Sequence, residues 1–522
     1  MATYYIDHDG GNDGSDGLSE GAAKLHIPAL SNGDYVIFKR GVVYPHIYTT
    51  TVANCTFTVN VSWGIGQAVW GANSLTDDWL VFVRHSGTVI TGLSASHELK
   101  FTGTGLNRGT IGIFPSLGAI SSITVAYAEF LNIAGAGKSE GIGVKMGVTD
   151  YSAELSTVVV SYCSFDNCYS YGVKISSGTG STHDCDIHHN TFTNNGSGTD
   201  LLETNISSNL GNGAYDNSFH HNTLTAGVNS TDGIEVNNSP NKIYNNTFDG
   251  YRYALRIDPS YNTNKHGIIE LYSNLIKNSS ERGINFGGTS TALGYVLAYN
   301  NLFENNGSYV INFPSTADNN EFYFNSFYQT GGHTFWFQAG ATGNIVKNNI
   351  VFSTGDCYAQ ADATYSNNTE NYNIFYRASG TIVTVGASNY TITQLAAYQA
   401  AATPNGANSL FSNPQYVGAP SDLTIPTGSP AKDAGINVGI AVDYLGNARP
   451  VGAGYDIGAY EYSSGSSDYI YNPRGNALTS GFADIFRNNY IYNPRGNILT
   501  SGTAYYYRIT GLGPRLVFFL RY

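Results

Sequence analysis

Charged residues and methionine are scarce in this sequence. Of its 522 residues, 12% are charged and 2 are methionine, whereas 61 are glycine and 40 are tyrosine. Tyrosine suits pleated strands, and glycine suits tight turns. The shortage of helix-forming residues argues against a helical fold, so we expect an all-β protein.

Positive charge is scarcer than negative charge. Lysine and arginine number 25 and the acids 38, which gives a net charge of 25 − 38 = −13. Proteins that bind nucleic acid need a basic face to displace counterions, so nucleic acid is excluded as a partner. No apolar run is long enough to cross a bilayer, and we expect no membrane insertion.

Cysteine is also rare, and the N-terminus lacks a recognisable leader. The five cysteines are an odd number without the spacing of a metal motif, and we expect buried free thiols. "MATYYIDHDGG" has neither the basic nor the apolar region of a secretory signal. We therefore expect an extracellular or virion-associated protein that has lost its signal or leaves its host by another route.

An asparagine followed by a short apolar segment recurs through the middle of the chain. It occurs in "HHNTF", "HHNTL", "YNNTF", "YSNLI", "YNNLF", "YFNSF", "KNNIV" and "NYNIF". The asparagines are Asn190, Asn222, Asn246, Asn274, Asn301, Asn325, Asn349 and Asn373, with spacings of 32, 24, 28, 27, 24, 24 and 24. This period predicts a β-solenoid with rungs of about 24–32 residues. Stacked at one corner, the amides would hydrogen-bond from rung to rung.

The repeat, the opening "YYIDHDGGNDGSDG" and the closing "DYLGNARPVGAGYDIGAYEY" resemble the right-handed parallel β-helix (pectate lyase-like) superfamily. This superfamily includes pectate lyases, chondroitinase B-type and alginate lyases, and phage tailspikes. The resemblance covers most of residues 1–462 and implies an all-β, right-handed parallel β-helix. The expected divisions are an N-terminal cap with the first strands (1–40), the β-helix (41–462), a linker (463–467) and a tandem-repeat tail (468–522).

One residue per rung is expected to face outward in a stacked column. In "GIEV", Ile234 and Val236 point inward, so Glu235 points outward. The same reasoning in each rung gives Lys145, Lys174, Glu203, Glu235, Arg256, Asn285, Asn312, Trp336 and Tyr358. Small residues two positions earlier would leave the column open as a groove. An extended saccharide would then contact the lysines and asparagines and stack on Trp336 and Tyr358, although a polar outer face also serves solubility alone.

Three chemistries are open to this column, with Glu203, Glu235, Arg256 and Asp258 as the candidate catalytic residues. Glu203 and Glu235, about 5 Å apart on adjacent rungs, have the spacing of a retaining glycosidase, and Glu235 with Asp258 is nearer the inverting spacing. In the second chemistry, Glu203, Glu235, Asn205 and Asn237 offer oxygen ligands to Ca²⁺. In the third, the column binds polysaccharide without cutting it.

The calcium arrangement resembles the site of chondroitinase B and alginate lyases. That resemblance implies that Ca²⁺ neutralises a uronate carboxylate while a basic residue takes the α proton, and Arg256, one rung beyond Glu235, sits where such a group is needed. In those lyases a lysine shortly after the glutamate takes the base role, whereas this chain reads "VNNSPNK" there. The departure weakens the case for proton abstraction more than the case for glycan binding.

A histidine-rich stretch, "HDCDIHHN", invites a zinc assignment. His188 and His220 occupy the same rung position, which later rungs fill with tyrosine. We therefore expect a polar face here rather than a metal site.

The tail contains two similar copies, "DYIYNPRGNALTSGFADIFR" and "NYIYNPRGNILTSGTAYYYR", and ends in the apolar "RLVFFLRY". Apolar strand-forming segments of this kind pair with other chains unless they are covered. The tail is thus predicted to self-associate into a trimer or polymer, or to anchor the protein to a particle; the alternative is a hairpin pair that closes the coil.

The sequence as a whole predicts a tailspike-type adhesin or depolymerase, an extracellular or virion-associated β-helix that binds, and in one interpretation cleaves, polysaccharide. The alternatives are a structural fibre subunit without catalysis and a free, secreted, Ca²⁺-dependent lyase.

Overall fold

The computed structural model describes most of the first 462 residues and four short strands beyond them. The described ranges are 1–45, 47–71, 79–103, 108–133, 141–147, 152–177, 180–193, 202–206, 213–227, 232–236, 241–257, 267–287 and 295–462, with the backbone alone described at 202–206, 213 and 295. By its internal contacts the chain divides into two units, Met1–Tyr462 and Ser463–Tyr522.

The first unit is a coil whose rungs pass through three parallel sheets in a fixed order. In one rung Asn241–Tyr244 belongs to the first sheet, Thr247–Asp249 to the second and Tyr253–Ile257 to the third. The next rung returns to the first sheet at Ile268–Tyr272, which pairs in parallel with Asn241–Tyr244. This stacking of equivalent strands defines a parallel β-helix.

The strands of each sheet follow chain order. The first sheet contains Thr3–Ile6, Tyr35–Arg40, Thr56–Gly64, Val89–Thr91, Ile120–Ala126, Leu155–Ser161, Ser181–His183, Asp186–His188, Gly213–Tyr215, Asn217–His220, Asn241–Tyr244, Ile268–Tyr272, Tyr295–Tyr299, Glu321–Tyr323, Ile345–Lys347 and Thr369–Asn371. The second contains Val43–Tyr44, Ala68–Gly71, Leu99–Gly103, Ala128–Ile133, Ser164–Cys168, Thr191–Thr193, Thr223–Thr225, Thr247–Asp249, Leu275–Lys277, Leu302–Glu304, Ser326–Gln329, Ile350–Ser353, Ile374–Tyr376 and Leu410–Phe411. The third contains Tyr48–Thr49, Trp79–Val83, Gly109–Ile113, Ile142–Met146, Tyr171–Ser177, Leu202–Ile206, Asp232–Val236, Tyr253–Ile257, Arg282–Phe286, Tyr309–Phe313, His333–Phe337, Tyr358–Gln360, Thr381–Val385 and Ser388–Thr391.

Stacked side chains fill the interior of the coil. Phe130 and Phe165 of the second sheet have ring centroids 4.6 Å apart, and Phe303 and Phe327 are 4.5 Å apart. All five cysteines are buried and free, as expected, and burial raises the pKa of Cys163 to about 12. The core is therefore apolar along its length, and the thiols behave as small hydrophobic side chains.

The corner asparagines form the predicted ladder. Asn246 accepts a hydrogen bond from the backbone N–H of Asn222 at 3.0 Å, and its own amide donates to Asn274 at 3.1 Å and to the Phe219 carbonyl at 2.9 Å. Equivalent bonds continue from Asn301 to Asn325. The asparagines satisfy buried backbone groups where the chain turns, so their role is structural.

A helix closes the far end of the coil, and the chain then returns along the outside of the coil. The helix Leu395–Ala402 buries Tyr398, whose hydroxyl donates to Glu370 at 2.6 Å. Residues 412–462, here the return segment, then run back over the outer face of the second sheet, where Ala459 bonds to Ser326 at 2.9 Å. This segment covers apolar side chains of the second sheet, among them Leu302.

The second unit contains two antiparallel hairpins. Phe486–Arg487 pairs with Tyr490–Ile491, and Ala504–Arg508 pairs with Leu516–Leu520. The predicted linker, 463–467, lies outside the described residues. No helix in the described part of the chain combines the length and apolar character that a bilayer span requires.

Candidate functional site

The outward column predicted from the sequence is a register line of the third sheet. Lys145 pairs with Lys174, and Glu235 pairs with Arg256. The other links are Lys174 with Glu203, Glu203 with Glu235, Arg256 with Asn285, Asn285 with Asn312, and Asn312 with Trp336. Eight of the nine predicted positions therefore stack on successive rungs.

The ninth position is wrong. Trp336 pairs with Ala359, while Tyr358 pairs with the core residue Phe335 and is only 2% exposed. The Tyr358 ring lies 5.1 Å from the Phe337 ring inside the coil. The strand Tyr358–Gln360 is only three residues long. In "CYA" tyrosine is the one bulky side chain, and its ring fills the core. Tyr358 is thus unable to stack on an external sugar.

The small residues beside the column do not flank a groove. A side chain at Gly233 would meet the core residue Phe248 at 2.8 Å and the Ala254 carbonyl at 2.5 Å. Gly233 therefore faces the interior, as does the next residue, Ile234. Each strand in this region begins with one outward residue, which two inward residues follow. Where the first inward residue is glycine, as at Gly233, it leaves room for the phenylalanine stack of the second sheet.

The two consecutive inward residues bend each strand, and this bend brings a second column of residues to the outer face. Strict alternation along the strand does not predict this second column. Asp232, Tyr253 and Arg282 occupy successive register positions, three residues before the first column, and Tyr309 pairs with His333 in the same way. The signal was present in "DGIE", "YALR", "RGIN", "YVIN" and "HTFW", each of which places two outward residues three apart. The two columns form the outer strip, which consists of Asp232, Glu235, Tyr253, Arg256, Arg282, Asn285, Tyr309, Asn312, His333 and Trp336.

Arg256 lies between two acids of the strip. Its Nη1 atom is 3.5 Å from Asp232 Oδ2, and its Nε atom is 3.6 Å from Glu235 Oε1. Both acids are buried, with residue exposures of 3% and 7%. An arginine held by two carboxylates keeps its proton, so this geometry favours Arg256 as a charged binding group over a general base.

The other end of the strip is aromatic. The Tyr309 and His333 rings stack at 5.3 Å, and the Trp336 ring lies 5.8 Å from the Tyr309 ring and 5.6 Å from the His333 ring. All three side chains are partly exposed. They present adjoining ring faces of the kind that apolar faces of ligands contact.

An acid supports this aromatic group from one side. Asp356 lies 3.6 Å from His333 Nδ1 and accepts hydrogen bonds from Arg377 and Thr384 at 3.0 Å each. Burial alone would raise the pKa of Asp356, but the His333 and Thr384 contacts and the Arg377 charge outweigh it and hold this pKa below its usual value. Asp356 thus remains a carboxylate at neutral pH beside the His333 ring.

The predicted binding lysines and asparagines differ in their access to solvent. Lys145 and Lys174 are partly exposed, and Lys174 Nζ lies 4.3 Å from the centre of the Tyr171 ring. Asn285 and Asn312 are 7% and 5% exposed. Arg282 donates a hydrogen bond to Asn285, and the Gln338 amide donates to Asn312 at 3.2 Å.

Part of the predicted catalytic and calcium set lies outside the described side chains. These positions are Glu203, Asn205, Asn237 and Asp258, of which Glu203 and Asn205 have a described backbone. Glu235, the remaining predicted calcium ligand, has the Arg256 guanidinium beside its carboxylate. Three of the four predicted ligands have no described side chain, so the calcium site stays a prediction.

Comparisons with known proteins agree with the architecture. The family described as right handed beta helix region matches residues 232–395, about a third of the chain. No curated protein matches the sequence significantly.

Several solved structures are similar at low identity. Pectate lyase Pel9A is 14% identical, with 89% of this chain and 97% of that chain covered and a TM-score of 0.35. The Streptococcus pneumoniae surface protein and adhesin PfbA is 10% identical, with 64% and 88% covered and a TM-score of 0.41. The Dettilon tailspike protein is 13% identical, with 61% and 60% covered and a TM-score of 0.38.

The three parallel sheets and the family match establish the fold class expected from the sequence. The described first unit is all-β apart from short helical segments, and equivalent strands stack in parallel from rung to rung. The chain is a right-handed parallel β-helix.

Proposed function

We propose that the protein binds an extended polysaccharide along the outer strip, as a tailspike-type adhesin of a virion or another extracellular particle. The observation that carries this proposal is the cluster of Tyr309, His333 and Trp336, three partly exposed rings beside charged groups on one sheet face. Sugar rings have an apolar face that packs on aromatic rings, and polar groups alongside bind their hydroxyls.

The length of the strip suits a chain-like ligand. It spans five successive rungs of the third sheet, from Asp232 to Trp336. At about 4.8 Å per rung it is about 19 Å long. Its partly exposed groups include Tyr253, Arg256 and Arg282 as well as the three rings, and the buried Asp232 and Glu235 lie beside Arg256. The strip therefore favours a polymer that makes many small contacts over a compact ligand held in a deep pocket.

Removing one ring tests the binding proposal. We expect Trp336→Ala to weaken binding to a recognised polysaccharide about fivefold, since one aromatic contact contributes about 1 kcal/mol. The midpoint of thermal unfolding should change little, because Trp336 is partly exposed. The measurement is isothermal titration against a panel of polygalacturonate, alginate and bacterial capsular polysaccharides.

A matched control lies on another sheet. Tyr272 is stacked between Tyr244 and Tyr299 on the outer face of the first sheet, with ring distances of 4.8 and 5.0 Å. Tyr272→Ala should leave polysaccharide affinity unchanged. Equal weakening by both substitutions would show that binding does not use the outer strip.

Cleavage is a separate part of the proposal and rests on the two acids beside Arg256. Glu235→Gln keeps the side-chain size and removes the negative charge, so we expect it to abolish depolymerisation while polysaccharide binding remains. The readouts are new reducing ends, which a hydrolase produces, and the ultraviolet absorbance of unsaturated products, which a lyase produces. A wild-type protein that binds a polysaccharide without shortening it would be an adhesin alone.

A further inference from the structure

Two pairs of histidines lie one above the other where the first sheet turns into the second. His188 and His189 belong to one rung, and His220 and His221 belong to the next, with His188 and His220 in register. The His188 and His220 rings stack at 5.0 Å, and the His189 and His221 rings stack at 4.7 Å. These four residues are here called the histidine corner.

The backbone of this corner does not by itself select histidine. His189 and His221 have left-handed conformations, with φ of 56° and 54°. Asparagine tolerates this conformation well and occupies the equivalent position at Asn245, Asn300 and Asn348 in later rungs. Tyr127 and Tyr162 hold this position in the preceding rungs, and the Tyr162 ring stacks on His189 at 4.9 Å, so the histidines continue a column of rings.

The ring nitrogens converge. Ligand atoms of His189, His220 and His221 all lie within 4.8 Å of one another. The Nδ1 atoms of His220 and His221 are 2.8 Å apart, and those of His188 and His189 are 2.9 Å apart. Nitrogens bound to one tetrahedral ion at about 2.0 Å lie about 3.3 Å from each other, so small ring rotations bring the set into position.

The surroundings prepare the rings to act as ligands. Asp186 Oδ1 lies 2.8 Å from His220 Nε2, while Nδ1 of the same ring faces His221. A carboxylate that orients a ligating histidine in this way is a common feature of zinc sites.

We propose that His189, His220 and His221 bind one divalent d-block cation of the Zn²⁺ type, with water in the fourth position. Imidazole nitrogen favours Zn²⁺, Ni²⁺ and Cu²⁺ over Ca²⁺ and Mg²⁺, which prefer oxygen. The ion ties two successive rungs together. It lies away from the third sheet, so its role is separate from polysaccharide binding.

The test uses the full chain, freed of metal by a chelator and titrated with ZnCl₂. We expect one Zn²⁺ to bind per chain and to raise the midpoint of thermal unfolding, because an ion that binds only the folded state stabilises it. CaCl₂ at the same concentration should have no effect at the histidine corner. Co²⁺ in place of Zn²⁺ should give the visible absorption bands of a tetrahedral nitrogen site.

The decisive variant replaces two ligands by the residue that later rungs carry. His189→Asn with His221→Asn suits the left-handed backbone and should weaken Zn²⁺ binding at least tenfold. His221→Asn alone should weaken it as well, and serves if the double variant fails to fold. The control is His183→Gln, since His183 is bonded to Asp184 outside the corner and its loss should leave Zn²⁺ affinity unchanged.

Three results would overturn the proposal. One is Zn²⁺ affinity that is equal in the wild type and the corner variants. Another is a set of several weak ions per chain with no change in the unfolding midpoint, which would indicate adventitious surface binding. The third is the loss of the Co²⁺ bands on His183→Gln with their retention in the corner variants.

Discussion

Each asparagine of the corner ladder satisfies buried groups on more than one rung. Asn325 Oδ1 accepts from the backbone N–H of Asn301 at 2.9 Å and from its side-chain amide at 3.0 Å. The Asn325 amide donates to the Ala298 carbonyl at 3.0 Å and to Asn349 at 2.9 Å. Because the site is fully buried, no water replaces these bonds when the side chain is removed.

Asn325→Ala should therefore be strongly destabilising. It leaves several buried donors and acceptors without partners, each at a cost of about 1–3 kcal/mol, and we expect a loss of about 3 kcal/mol in the free energy of unfolding. Chemical denaturation followed by circular dichroism measures this loss. Asn408→Ala, at an exposed asparagine, is the control and should change stability by less than about 0.5 kcal/mol. Similar losses in the two variants would refute a structural role for the ladder.

A second ladder of buried asparagines runs beside the first and has its own sequence signature. Asn320 accepts from the Val296 N–H at 2.9 Å and bonds onward to Asn344 at 2.9 Å. Its members lie five residues before those of the first ladder, in the pairs 217/222, 241/246, 320/325, 344/349 and 368/373. The Asn-x₄-Asn spacing marks both ends of five first-sheet strands, so the second ladder was detectable from the sequence.

The outer strip was predictable only in part, because strand alternation fails at the bend. Glu235 lies between two inward residues, and alternation placed it correctly. Asp232 was missed because both Gly233 and Ile234 face inward, which shifts the pattern by one residue. The prediction for Tyr358 was wrong because its neighbours, Cys357 and Ala359, are both small and do not show which face of the strand is apolar. The sequence places His188 and His220 at the same rung position, but it does not show that the His189 and His221 rings stack beside them.

The return segment is the element whose stability depends most clearly on pH. It is fixed by a fully buried ion pair between Arg449 and Glu461, with 2.6 Å between Arg449 Nη1 and Glu461 Oε1. Asp456 lies nearby and is also fully buried. Burial raises the pKa of Asp456 to about 6, and the charges of Glu461 and Asp433 add to this effect.

The sign of the pH effect follows from this raised pKa. An aspartate that titrates near 6 when folded and near 3.9 when unfolded binds its proton more tightly in the folded state. The folded state therefore gains stability as the pH falls from 7 to 4, and loses it again as the pH rises through 6. For a shift of about two units, the gain from this group is at most about 3 kcal/mol.

Asp456→Asn removes this titration. We expect the free energy of unfolding of the wild type, relative to that of the variant, to rise between pH 7 and pH 4. Urea unfolding of both proteins at several pH values measures these free energies. Subtracting the variant from the wild type removes the contribution of other titrating groups, such as Asp356 and Glu370, because both proteins contain them. Parallel pH profiles of the two proteins would show that Asp456 titrates alike in the folded and unfolded chains.

At the scale of the whole molecule, the β-helix and the C-terminal unit pose different physical problems. Met1–Tyr462 has its own continuous core, and the return segment covers part of its outer surface. Ser463–Tyr522 contains two hairpins, one of which includes the apolar strand Leu516–Leu520. An isolated two-stranded hairpin is at best marginally stable in water, so an apolar hairpin gains most from pairing with further copies.

We therefore expect the full chain to form a trimer or a larger assembly and a chain ending at Tyr462 to be monomeric. Light scattering coupled to size-exclusion chromatography measures both molar masses, and circular dichroism checks that the shortened chain keeps its β structure. A monomer in both cases would contradict assembly through the tail and would favour a hairpin pair that closes the coil. An assembly that survives the truncation would instead place the contact on the β-helix itself, and Trp336→Ala in the shortened chain would then show whether that contact covers the outer strip.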